Sequence, residues 1–83
     1  MKSRTPDEML LIRLYQIAMD NGDPFYEIDL RGVQPHLGQK EKAVNNIVKL
    51  LAQANFIKKV DDTIIHLTQR GCDFVLDALE EKS

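Results

Sequence analysis

Apolar residues return at the helical period in three stretches of this chain and cluster in two short β-rich runs between the second and third. From Glu8 to about Asp20 the polar residues Arg13, Gln16 and Asp20 share one narrow stripe, and Leu11, Leu14, Tyr15 and Ala18 centre the opposite side. Thr5-Pro6-Asp7-Glu8 supplies the start: a hydroxyl cap, proline at the first helical position, and a glutamate able to reach back to the cap. Asn21-Gly22-Asp23-Pro24 supplies the stop, because Gly22 suits a left-handed cap and Pro24 cannot continue a helix. Apolar residues cover more than half of this helix, whereas packing in a small domain needs a stripe a little over about 100° wide. Ile12 and Met19 therefore have two readings, a second surface such as a partner subunit or simple burial between two other helices.

Phe25 to Ile28 is expected to be a short extended piece. Asp29 can cap a short helix in which Leu30, Val33 and Leu37 share a face, with Gly32 and Pro35 kinking it or splitting it into turns. After Gly38 the pattern sharpens. Over Lys40 to Ala54, the residues Ala43, Val44, Ile47, Leu50, Leu51 and Ala54 line one face, and Lys42, Asn45, Asn46, Lys49 and Gln53 the other. Asn55 can take the left-handed conformation that ends this helix, with Phe56 as the apolar contact beyond it. Phe56–Val60 and Thr63–Leu67 read as two strands joined by Asp61-Asp62, the length of a tight hairpin link although without its usual glycine. Thr68 then caps a last helix from Gln69 to about Glu81, with Cys72, Val75, Leu76 and Leu79 on one side and Phe74 and Ala78 widening it.

With 83 residues, one hydrophobic core is the expected number, so residues 1–83 read as a single domain with residues 1–5 as an N-terminal tail. A hydrophobic share of 43% with 29% charged residues suits a folded chain rather than a disordered one. No apolar run approaches the roughly 18 residues of a membrane span, so no membrane partner is expected. MKSRTPDEM leads into a helix interrupted by Arg13 and Gln16 rather than into a secretory signal's apolar stretch, and a cytoplasmic location follows. Cys72, His36 and His66 cannot make a four-ligand zinc site by themselves, so no metal and no cofactor are expected. Cys72 reads as a packing residue, and the two histidines as solvated side chains. No nucleophile–base pairing, paired carboxylates or glycine-rich phosphate loop can be assembled, which argues against an enzyme.

The order of elements, helix, short strand, helix, helix, two-stranded wing, helix, resembles the winged helix-turn-helix superfamily, a mainly α fold with a small β-hairpin (α+β). Small bacterial regulators of the MarR-like and PadR-like kinds are the nearest in pattern. The resemblance spans nearly the whole chain and is carried by AVNNIVKLLAQANFIKK, which looks like a recognition helix running into a strand. IIHLTQRGCDFVLDAL looks like the closing strand, Leu-Thr-x-x-Gly turn and final helix. It implies a DNA-binding transcriptional regulator or accessory protein with helix 40–54 in the major groove. It also implies that Gly71 permits close helix packing and that Thr68 caps, neither being a functional site. Two departures stand out: the wing tip is Asp61-Asp62, where a basic side chain would reach DNA, and the helix before the recognition helix is weak.

The net charge of −2 argues against a nucleic-acid partner until its distribution is considered. Residues 1–38 hold four basic and six acidic side chains, residues 39–59 five lysines against Glu41, and residues 60–83 two basic and six acidic. Lysines that neutralise phosphate, beside amides that can pair with adenine edges, fit double-stranded DNA. The candidate DNA-binding residues are Lys40, Lys42, Asn45, Asn46, Lys49, Gln53, Lys58 and Arg31, with Lys58 favoured over Lys59 and Arg31 open to either a phosphate contact or a surface ion pair. The same face also fits the ordinary solvated side of an amphipathic helix. A homodimer through Ile12, Met19 and the final helix would let two modules read two half-sites. The alternative is a winged-helix protein–protein interaction module without DNA binding, which the acidic wing and overall acidity suit.

Overall fold

Capping chemistry sets several of the helix boundaries in this protein. A computed structural model describes residues 5–33 and 40–80. Helix α1 (Pro6–Asp20) opens on Thr5, whose hydroxyl accepts the Glu8 N–H while the Glu8 carboxylate accepts the Thr5 N–H. It closes through Gly22, at φ +81°, with Gly22 N–H donating to Met19 O and Asp23 N–H to Ala18 O. Strand β1 (Ile28–Asp29) follows and runs directly into α2 (Leu30–Val33), where the Asp29 carboxylate accepts the Arg31 N–H. Helix α3 (Glu41–Gln53) ends in the same manner as α1: Asn55 sits at φ +67°, and Phe56 N–H donates to Leu51 O. Strands β2 (Ile57–Lys59) and β3 (Ile64–Leu67) precede α4 (Gln69–Glu80), whose first turn is held by the Thr68 hydroxyl accepting the Gly71 N–H. The expectations for Leu37, Pro35, His36, Gly38 and most of the N-terminal tail lie outside the described residues.

The result is a mainly helical α+β unit with a small antiparallel sheet, in the element order read from sequence. The sheet has three strands rather than two, in the order β1-β3-β2, because Ile28 pairs with Ile65 and Asp29 with Ile64. Ile28, Ile57, Ile65 and Leu67 close over Leu11, Leu14 and Ala18 of α1, Val44, Val48 and Leu51 of α3, and Val75 of α4 in one buried cluster. Ile12 belongs to that cluster, which corrects its reading as a partner surface: α1 packs against α3, α4 and β1, so its covered arc is wider than one stripe. Met19 remains exposed.

Three further details differ from the sequence pattern. The buried face of α3 is centred on Val44, Val48 and Leu51, so Leu50 is 60% exposed and Ala43 and Ala54 lie outside. On α4, Leu76 is exposed while Cys72 and Val75 are buried. In the hairpin, Lys59 pairs with Ile65 and Val60 N–H donates to Ile64 O, leaving Asp61, Asp62 and Thr63 as the loop. Two-residue hairpin links favour positive φ, usually with glycine, and none of these three residues adopts it. The third loop residue shifts the register by one.

Candidate nucleic-acid interface

Helix α3 turns its polar face away from the core: Lys42, Asn45, Asn46, Lys49 and Gln53 are all exposed. A groove of about 760 Å³ runs between that face and the hairpin. Leu30, Val48 and Ala52 form its apolar floor, Asn45, Asn46, Lys49 and Gln53 one wall, and Lys59, Asp62 and Thr63 the other, with Glu41 at one end. Leu30 N–H donates to Thr63 O (2.8 Å), tying the start of α2 to the hairpin loop beside the groove.

The register decides which wing lysine serves this groove. Directly opposed residues of an antiparallel pair share a face. Lys59, opposite buried Ile65, lies on the inner face; Lys58, opposite His66, lies on the outer one. A one-residue slip exchanges the two faces. On this register Lys59, rather than the favoured Lys58, is the wing lysine that lines the groove. His66 Nδ1–H donates to the Leu67 carbonyl (2.7 Å), on the side away from the groove floor.

Of the eight candidates, the groove brings together Asn45, Asn46, Lys49 and Gln53. Lys40 and Lys42 are exposed near the start of α3 but do not line it, and neither does Arg31. Arg31 is engaged: Nη2 lies 3.0 Å and Nε 3.3 Å from the two carboxylate oxygens of Asp29. The Arg31 guanidinium hydrogen-bonds the Asp29 carboxyl and holds it below the usual carboxylate range, while Asp29 raises the Arg31 value in turn. Of the two readings of Arg31, the surface ion pair is the one present.

Comparison with protein-family models, with curated proteins and with solved structures finds no match for this chain. The arrangement must be judged on its own chemistry. The lining holds two lysines, Lys49 and Lys59, and two acids, Glu41 and Asp62, so its charges balance and its amides dominate. Lys59, Glu41 and Asp62 were not singled out from the sequence as groove residues. The missing glycine in the hairpin link was the available signal, since it argues for a longer loop and hence for the inward turn of Lys59. Among the described residues no three His, Cys, Asp or Glu side chains converge as a metal site, and no helix is long and apolar enough to cross a membrane. Cys72 is buried, with its thiol 3.9 Å from Pro24 O; burial raises its pKa, with Asp73 and Asp23 adding to the effect.

Proposed function

We propose that this chain is a winged helix-turn-helix module that binds double-stranded DNA by laying α3 in the major groove, as a transcriptional regulator or an accessory protein. The observation that carries the reading is the uninterrupted exposed face Lys42, Asn45, Asn46, Lys49 and Gln53, with Lys59 brought toward it by the hairpin. The amides offer paired donors and acceptors for adenine edges, and the lysines neutralise phosphate. The exposed Asp61 and Asp62 at the hairpin tip repel phosphate, so the wing contributes through Lys59 at its base rather than through its tip.

Titration with mixed-sequence duplex DNA across a salt series, followed by residue-resolved NMR shifts, tests this. Affinity is expected to fall with salt by roughly one log unit per log unit of salt for each phosphate neutralised. Shifts should gather on Asn45, Asn46, Lys49, Gln53 and Lys59, and Lys42→Ala with Lys49→Ala should weaken binding and flatten the salt slope. Salt-independent binding, or binding that survives both substitutions, overturns the assignment. Leu50, at 60% exposed on the same helix, favours a second reading as a protein-docking module. Absence of any DNA complex at low salt, together with a protein partner seated on α3, would select it.

A further inference from the structure

Helix α3 carries a second exposed stripe beside its polar one. Ala43, Ile47, Leu50 and the capping residue Ala54 follow one another at steps of four, three and four residues, the spacing of a helix-on-helix seam. Ala43, Leu50 and Ala54 are exposed and Ile47 is half-buried. The polar stripe Lys42, Asn46, Lys49 and Gln53 has the same spacing one residue earlier, so it runs alongside, about 100° around the helix. The outer side of α4 is its chemical complement. Leu76 is 44% exposed, and Asp73, Asp77 and Glu80 are exposed on the adjoining part of the same helix surface.

We propose that a second copy of this chain docks its α4 on α3, with Leu76 seated against Leu50 and with Asp73, Asp77 and Glu80 facing Lys42 and Lys49. The match is one of both apolar position and charge: α3 pairs exposed Leu50 with Lys42 and Lys49, and α4 pairs exposed Leu76 with Asp73, Asp77 and Glu80, while Arg70, at the start of that strip, is held over the Phe56 ring. The overall charge is only −2, so copies do not repel strongly, while the segregation of basic residues to 39–59 and acidic ones to 60–83 attracts unlike ends. The contact is independent of the DNA assignment and competes with it, because the same lysines cannot face phosphate and carboxylate together. One helix pair buries less than the roughly 1,000 Å² of a stable interface, so the association is weak and concentration-dependent.

Sedimentation velocity of the full chain over a concentration series, at low and at high salt, reads the contact. The expected result is reversible association that weakens with salt and that Leu50→Glu or Leu76→Lys each reduces by about tenfold or more, with the thermal melts of both variants retained as foldedness controls. Lys49→Glu should also weaken it, and adding Asp77→Lys to the same chain should restore it. A monomer throughout at low salt overturns the proposal and leaves the stripe to a different acidic partner. So does association that both leucine substitutions leave unchanged, or failure of the exchanged charges to restore it.

Discussion

Adding a single methyl group at Gly71 should damage this fold more than its place near a helix end suggests. A Cβ built on Gly71 lies 2.1 Å from the carbonyl oxygen of Phe56 and 3.0 Å from its carbonyl carbon. Real side chains do not approach below 3.0 Å, so Gly71→Ala requires the two backbones to part by about 0.9 Å. The obstructing atom is backbone, and it also accepts the Thr68 N–H at 3.1 Å, a bond that the separation stretches past its useful range. Overpacking of this kind costs about 1–3 kcal/mol and the hydrogen bond about 1 kcal/mol more, while alanine returns about 1 kcal/mol through helix propensity. The net expectation is a loss of ~1–3 kcal/mol, or roughly 5–20 °C in Tm for a domain of this size. Urea and thermal melts followed by circular dichroism measure it. Gly32→Ala is the matched control, because a Cβ at Gly32 meets nothing within 4 Å, and it should be neutral or stabilise by up to about 1 kcal/mol. A Gly71→Ala variant as stable as the parent would refute the close-approach argument.

Two apolar positions of α3, Val48 and Leu50, should separate sharply in the same melts. Val48→Ala, at a position 3% exposed, should lose about 2 kcal/mol, and Leu50→Ala less than about 1 kcal/mol; the reverse order would mean that α3 is rotated in its seat. Arg31→Ala should bring the Asp29 carboxyl back up toward its ordinary value, read by carbon-detected NMR titration. Because Asp29 is depressed in the fold, its contribution to stability is present above the unfolded value near 3.9 and fades as pH falls through the lower folded value. No movement of Asp29 in the variant would show that Arg31 is not the cause. Cys72 should react with a thiol reagent far more slowly in the native protein than in urea, since burial raises its pKa and shields it. Equal rates in the two states would count against its burial.

The helix ends were the most legible part of the sequence because a cap is local chemistry. Thr5 with Glu8, Gly22, Asn55 and Thr68 each announce a boundary within a few residues, and each acts at the atom expected of it. Faces were harder. Apolar residues cover more of α3 than the core can hold, and the choice of Val48 over Leu50 is made by where α1 and the sheet lie, which no window of sequence contains. The pairing of Ile28 with Ile65 is a contact across 37 positions and left no local mark. In the candidate site, the amide and lysine face of α3 was readable from its period. The contribution of Lys59 was not, because it depends on whether Thr63 joins the strand or the loop.

Thr68 joins three parts of the fold through one residue. Its hydroxyl donates to Asn55 O at the end of α3 and accepts from Gly71 N–H in α4, and its own N–H donates to Phe56 O just before β2. The base of the hairpin is thus riveted to both helices, whereas Asp61, Asp62 and Thr63 extend beyond the paired residues. Amide hydrogen exchange should follow that division: Thr68, Gly71 and Cys72 exchange only when the whole domain opens, and Asp62 exchanges through local opening at little cost. Mechanically the groove is a jaw hinged at Thr68, and the bond from Leu30 N–H to Thr63 O braces its lip against α2.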